Sequence, residues 1–135
     1  RSLAKKLHIK DHVFFEGQVS DVAPYYKSAD ILLVTSHYEG YGRMFLEAMA
    51  SGCPVITHDV GAAKEIIGRW NGVVCEENDE ECLLRNLILY VKDPSMLEQL
   101  KRSARSSAEH FVPKIKEQYL TEFHKMLKDA SERVD

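Results

Sequence analysis

Glu39 and Glu47 are two carboxylates with seven residues between them, and they flank Gly40-Tyr41-Gly42. Glycines let a ligand approach the backbone, and the first amides of a helix lack intrahelical partners, so an anion fits where such a run enters a helix. Many turns hold two glycines for conformational reasons alone, so this run by itself is weak evidence. Glu39 stands just ahead of that site, where a carboxylate would repel a phosphate. It is better suited to accept hydrogen bonds from sugar hydroxyls or from the site's amides. Its plain alternative is a loop charge that favours a helix dipole. Glu47 has Met44, Phe45, Leu46, Ala48, Met49 and Ala50 as neighbours. A helix apolar all round is normally buried, and an ionised carboxylate there needs a polar partner such as a bound polyol. The alternative is that Glu47 lies on the one wet stripe; the residues alone do not choose.

His37 and His58 flank the same loops and are open to ligand contact, although lone loop histidines are more often structural. His8, His12, His110 and His124 lack metal-ligand spacing. No further pair of carboxylates suggests a hydrolytic dyad.

These residues need a scaffold. Val13-Phe14-Phe15 reads as a short strand, and Asp21 as the N-cap of a helix through Tyr26 with Pro24 in its first turn. Ile31 to Val34 reads as a strand buried on both faces. A helix is expected from Tyr41 to Ala50, closed by a left-handed Gly52 and stopped by Pro54. Val55-Ile56-Thr57 and Gly72 to Cys75 read as further strands. Beyond them, helices are expected after Asp79, after Pro94 and after Pro113. In the last, Ile115, Tyr119, Phe123, Met126 and Leu127 mark one face. Strands alternating with helices predict an α/β fold with a Rossmann-like parallel sheet and helices on both faces.

The 135 residues suit one domain, and 44% hydrophobic with 29% charged residues is a globular composition. A net charge of −3 provides no field for nucleic acid. The basic run Lys101, Arg102, Arg105 reads as a solvated helix face. Cys53, Cys75 and Cys82 are odd in number without a C-x-x-C pair, which points to a reducing compartment rather than a disulfide framework. No apolar stretch approaches the roughly 20 residues of a membrane span. Arg1 to Leu7 reads as an amphipathic helix without an initiator Met or N-cap, so the chain is expected to begin inside a larger protein.

Taken together, S-x-x-E-G-Y-G-x-x-x-x-E-A-M-A-x-G-x-P-V from Ser36 to Val55 resembles the E-x7-E signature of the retaining family-4 glycosyltransferases, which have the two-domain GT-B fold. Phe15 to Val19 is similar to that family's strand-and-glycine loop, Gly61 to Glu65 to its G-x-x-x-E segment, and Asn71 to Val74 to its N-G strand entry. The resemblance covers most of the chain. It implies that residues 1–135 are the donor-binding C-terminal half of such an enzyme, truncated at its N-terminus, with the N-terminal acceptor domain absent. Such a protein moves a hexose from a nucleotide-diphosphate sugar to a glycan, lipid or small-molecule acceptor, with retention and without a metal or other cofactor.

By the same resemblance Glu47 contacts the ribose, and Glu39, the catalytic candidate, contacts the donor sugar near its anomeric centre. Backbone amides from Gly40 through Tyr41, Gly42 and Arg43 hold the diphosphate or sugar hydroxyls, and the Gly17 to Val19 loop lies near the base. Thr35 replaces the usual Pro, and the family's phosphate-binding Arg and Lys would precede Arg1. The full-length protein is expected in the cytoplasm, with peripheral membrane association left open. The acidic Glu117, Glu122 and Asp129 argue against the last helix docking on an anionic surface. Two rival readings stand beside this one: an inactive nucleotide-binding scaffold, and a donor subunit that needs a separate acceptor chain. On the leading reading, the fragment alone transfers no sugar.

Overall fold

The computed structural model describes residues 1–131; the side chains of 112–116, 118, 119 and 122–131 lie outside that description. Three short parallel strands, β1 (Leu32–Val34), β2 (Val55–His58) and β3 (Gly72–Cys75), form a sheet in the order β1-β2-β3. Leu32 pairs with Val55 and Val34 with Thr57, while Val55 pairs with Gly72 and His58 with Cys75. The helices are α1 (Ser2–Lys6), α2 (Ala23–Ser28), α3 (Arg43–Ala50), α4 (Ala63–Ile66), α5 (Glu80–Lys92) and α6 (Pro94–Ser131).

The central strand explains the layering. All four β2 residues are buried, and its first two side chains, Val55 and Ile56, point to opposite faces and into two different apolar clusters. Val55 packs with Phe45, Ala48 and Met49 of α3, Ala63 and Ile66 of α4, and Ala104 and Ala108 of α6. Ile56 packs instead with Leu83 and Tyr90 of α5 and with Leu100. Helices therefore cover both faces, and α6 reaches both clusters. Lys101 ties α6 to the turn before β1 through a 2.6 Å bond from Nζ to Asp30.

Local signals explain the element ends. Asp21 accepts from the Ala23 amide, but it stands one residue ahead of the N-cap of α2, which is Val22 and has no side-chain cap; Pro24 is in the first turn as expected. Asp79 accepts from the Cys82 amide and caps α5. After α3, Gly52 takes φ +79°, and the Gly52 and Cys53 amides donate to Met49 and Ala48. That Schellman arrangement gives α3 a sharp stop.

Several expectations are corrected. Val13 to Phe15 forms no strand; Phe14 is 81% exposed, and neither a ladder nor a buried face supports the run. Leu33 is exposed, because β1 lies at the edge of the sheet with only one face covered. In α1 only Ala4 is buried; Leu3 and Leu7 point to solvent, so its apolar stripe is not packed among the described residues. One helix runs through Pro113 where two were expected. A proline removes a single ladder bond, and a long helix held elsewhere survives that loss. The apolar face from Ile115 to Leu127 lies outside the described side chains.

Cysteine parity also misled. Cys75 and Cys82 form a disulfide with a Cα–Cα distance of 5.8 Å. The loop after β3 turns back, so the first turn of α5 sits over the strand's end, a proximity that spacing does not reveal. Cys53 is free and buried, and burial pushes its thiol up to about 11. Among the described residues, no helix is long and apolar enough to cross a membrane.

Candidate donor site

The loop after β1 passes through His37, Tyr38, Glu39 and Gly40 into α3. Gly42 precedes that helix with φ +85° and ψ +44°, a left-handed conformation that costs a side-chain-bearing residue about 1 kcal/mol or more. A Cβ at this position would also collide with the Phe45 ring. The backbone thus turns sharply, and no side chain caps the first amides of α3. Those donors face whatever binds there.

Glu39, Gly40, Tyr41, Gly42, Arg43, Met44 and Glu47 line one open cleft of about 420 Å³. Six of the eight residues singled out from the sequence meet in it. Gly17 and Val19 do not line it; they lie on the irregular segment before α2, where Gly17 adopts φ +73°. A hollow of similar size, about 440 Å³, opens beside β3 with Lys64, Arg69, Asn86 and Tyr90 in its wall. Volume does not choose between the two, but chemistry does. Lys64 is already engaged by Asp59 at 2.6 Å and Glu76 at 3.3 Å. Those carboxylates hold the Lys64 ammonium above its usual range, the hydrogen bond to Asp59 first.

Burial settles the Glu47 question. The helix α3 is not apolar all round: Phe45, Ala48 and Met49 form its covered face, while Arg43, Glu47 and Ala50 are exposed. The Glu47 side chain is 44% exposed and lies 4.0 Å from Arg43. It occupies the wet stripe and looks into the cleft. No buried charge has to be explained.

Glu39 is half-buried beside a second loop that sequence reasoning left outside the site. The Ala62 amide donates to the Tyr41 carbonyl at 3.0 Å. Gly61, at φ +55°, brings its Cα so close that an added Cβ would lie 2.9 Å from the Tyr41 oxygen and 3.3 Å from Cβ of Glu39. The G-x-x-x-E segment from Gly61 to Glu65 was the available signal, and only the tertiary contact reveals its use. Gly61→Ala is therefore expected to lower unfolding stability by about 1–3 kcal/mol, through backbone strain and crowding. Denaturant melts of the two proteins measure it; equal midpoints would contradict this account of the loop contact. His37 and His58 are stacked, with centroids 6.0 Å apart and planes at 21°.

Comparison with known proteins identifies the family and the fold. Residues 1–107 match the family described as Glycosyl transferases group 1. The chain is 36% identical over 130 residues to the N-acetyl-alpha-D-glucosaminyl L-malate synthase of Bacillus anthracis, covering 94% of this chain and 34% of that protein. It is 31% identical over 105 residues to the poly(glycerol-phosphate) alpha-glucosyltransferase of Bacillus subtilis, covering 76% and 16% respectively. The chain thus spans about a third or less of these relatives. Among solved structures, sucrose-phosphate synthase of Thermosynechococcus elongatus superposes with a TM-score of 0.80 at 28% identity, over 96% of this chain and 33% of that one. Anabaena HepE, solved with UDP and glucose, superposes with a TM-score of 0.80 at 23% identity, over 92% and 35%, a likeness of fold. The chain therefore belongs to the group 1 glycosyltransferases and has their Rossmann-like GT-B domain architecture.

Proposed function

We propose that this chain is the donor-binding domain of a retaining glycosyltransferase that moves a hexose from a nucleoside-diphosphate sugar. The observation that carries the reading is the shared cleft: both glutamates and the glycine turn at the start of α3 line one hollow. In this reading Glu47, on the exposed stripe of α3, accepts hydrogen bonds from the ribose hydroxyls. The backbone amides at Tyr41, Gly42 and Arg43 receive the diphosphate, and Glu39 accepts hydrogen bonds from the donor sugar. Gly17 and Val19 approach the base from the loop before α2. The acceptor is held by another domain or chain, and the chemistry requires no metal.

The contribution of these residues is positioning and electrostatic stabilisation. Fixed amides aimed at the departing diphosphate cost no reorganisation as its charge develops. A carboxylate at Glu39 is suited to hydroxyls rather than phosphate, since like charges repel. Titration calorimetry with UDP, GDP and ADP tests the reading. One of the three is expected to bind with a Kd of roughly 1 mM or tighter, at least tenfold tighter than the others. A protein that binds none of them at millimolar concentration is not a nucleotide-sugar domain.

A further inference from the structure

We propose that His37 and His58 act together as positioning residues for the donor sugar, their stacked rings holding the loop that carries Glu39. The inference rests on the donor-site reading above.

His58 ends β2 and is 1% exposed, yet neither ring nitrogen has a hydrogen-bond partner among the described residues. A buried polar ring left unpartnered destabilises a fold, and an apolar side chain of similar size would avoid that cost. Folding therefore does not explain a histidine at this position. The ring's aromatic neighbour is His37, on the loop after β1, with a near-parallel ring. Aromatic pairs at this separation attract.

The stack joins the two loops that build the cleft. Ladder pairing between β1 and β2 stops at Val34 and Thr57. Beyond that point, the His37 and His58 rings face each other, with centroids 6.0 Å apart. Glu39 follows two residues after His37, and Gly61 three residues after His58. Next, the Ala62 amide meets the Tyr41 carbonyl at 3.0 Å. Glu39 is thus spanned by two cross-loop contacts, the ring stack on one side and the backbone bond on the other. With the stack gone, the segment from Thr35 to Gly40 can pivot about Tyr41 and carry Glu39 with it. Glu47 stands on α3, whose Phe45, Ala48 and Met49 are in the core, so it does not move with that loop. Loss of the stack should weaken recognition of the sugar and spare recognition of the nucleotide.

The test is a double-mutant cycle read as the ratio of affinities for the nucleotide sugar and the bare nucleotide. Calorimetry on the unmutated protein, His37→Ala, His58→Leu and the double variant supplies both numbers. Each single change is expected to lower the ratio about fivefold, with bare-nucleotide affinity held within about twofold. The double variant should lose no more than either single one, because both remove the same contact. Melting temperature serves as the control, and His58→Leu should not lower it. Multiplicative losses in the double variant, or equal losses for nucleotide and nucleotide sugar, overturn the proposal. Should His58→Leu fail to fold, His37→Ala decides alone, since His37 is exposed; an unchanged ratio then rejects the stack. Absence of any nucleotide binding by the unmutated protein overturns the donor-site reading and this inference with it. Normal nucleotide binding with an insensitive ratio overturns only the inference.

Discussion

On the proposed donor-site reading, replacing Glu39 by alanine in a transfer-competent form of the protein is expected to lower turnover at least a hundredfold, about 2.7 kcal/mol of transition-state stabilisation. Affinity for bare nucleotide should stay within about tenfold, roughly 1.4 kcal/mol. The two effects separate because the two glutamates stand on different elements. Glu39 is on the loop, beside Gly61 and the Tyr41 carbonyl, while Glu47 lies one turn inside α3. An interaction with the donor sugar near its reacting carbon matters most in the transition state, so its loss appears mainly in kcat. Glu39→Gln should be milder, because the amide keeps one acceptor oxygen. The competing account treats Glu39 as a charge near the start of a helix, worth about 0.3–1 kcal/mol of stability. Turnover and melting temperature measured on the same two variants decide between them. Activity that falls only in step with the folded fraction would leave Glu39 as a helix-start residue.

Glu47→Gln is expected to raise donor KM about tenfold while kcat changes less than about threefold, the pattern of a contact made equally in ground and transition states. The structure supplies the control for this experiment. Glu47 is exposed, and its pairing with Arg43 spans 4.0 Å between side chains 44% and 86% exposed. Such surface pairs contribute little, about 0–1 kcal/mol, so the substitution should leave the fold intact. Any change in KM then reports the ligand contact itself. A hundredfold fall in kcat at constant KM would contradict the ribose assignment and move Glu47 to the reacting centre.

Much of the architecture was legible in short-range chemistry. The stop of α3 at Gly52 and Pro54 depends on left-handed geometry and a missing amide, which are properties of single residues. The cap at Asp79 reaches only three residues along the chain and is present, whereas Asp21 bonds the Ala23 amide from one residue ahead of the actual N-cap, Val22. The continuous apolar runs gave β2 and β3, since a strand buried between helix layers needs apolar side chains on both faces. The Glu39–Glu47 spacing was legible for the same reason: a strand-loop-helix unit places both ends of the motif on one local frame, and one cleft contains them.

Everything that depended on a partner distant in sequence was decided by the tertiary structure. Val13 to Phe15 has strand composition, but a strand requires a ladder, and residue types do not say whether one is available. Glu47 sat among apolar neighbours, and only the direction of the core, set by α6 and β2, put it on the wet side of α3. The pairing of Cys75 with Cys82 followed from the turn between β3 and α5 rather than from cysteine parity. The approach of Gly61 to Tyr41 and the stacking of His37 on His58 arise because parallel strands β1 and β2 end side by side. The sequence determined which groups could bind a donor; the register of two strands decided which loops hold those groups in place.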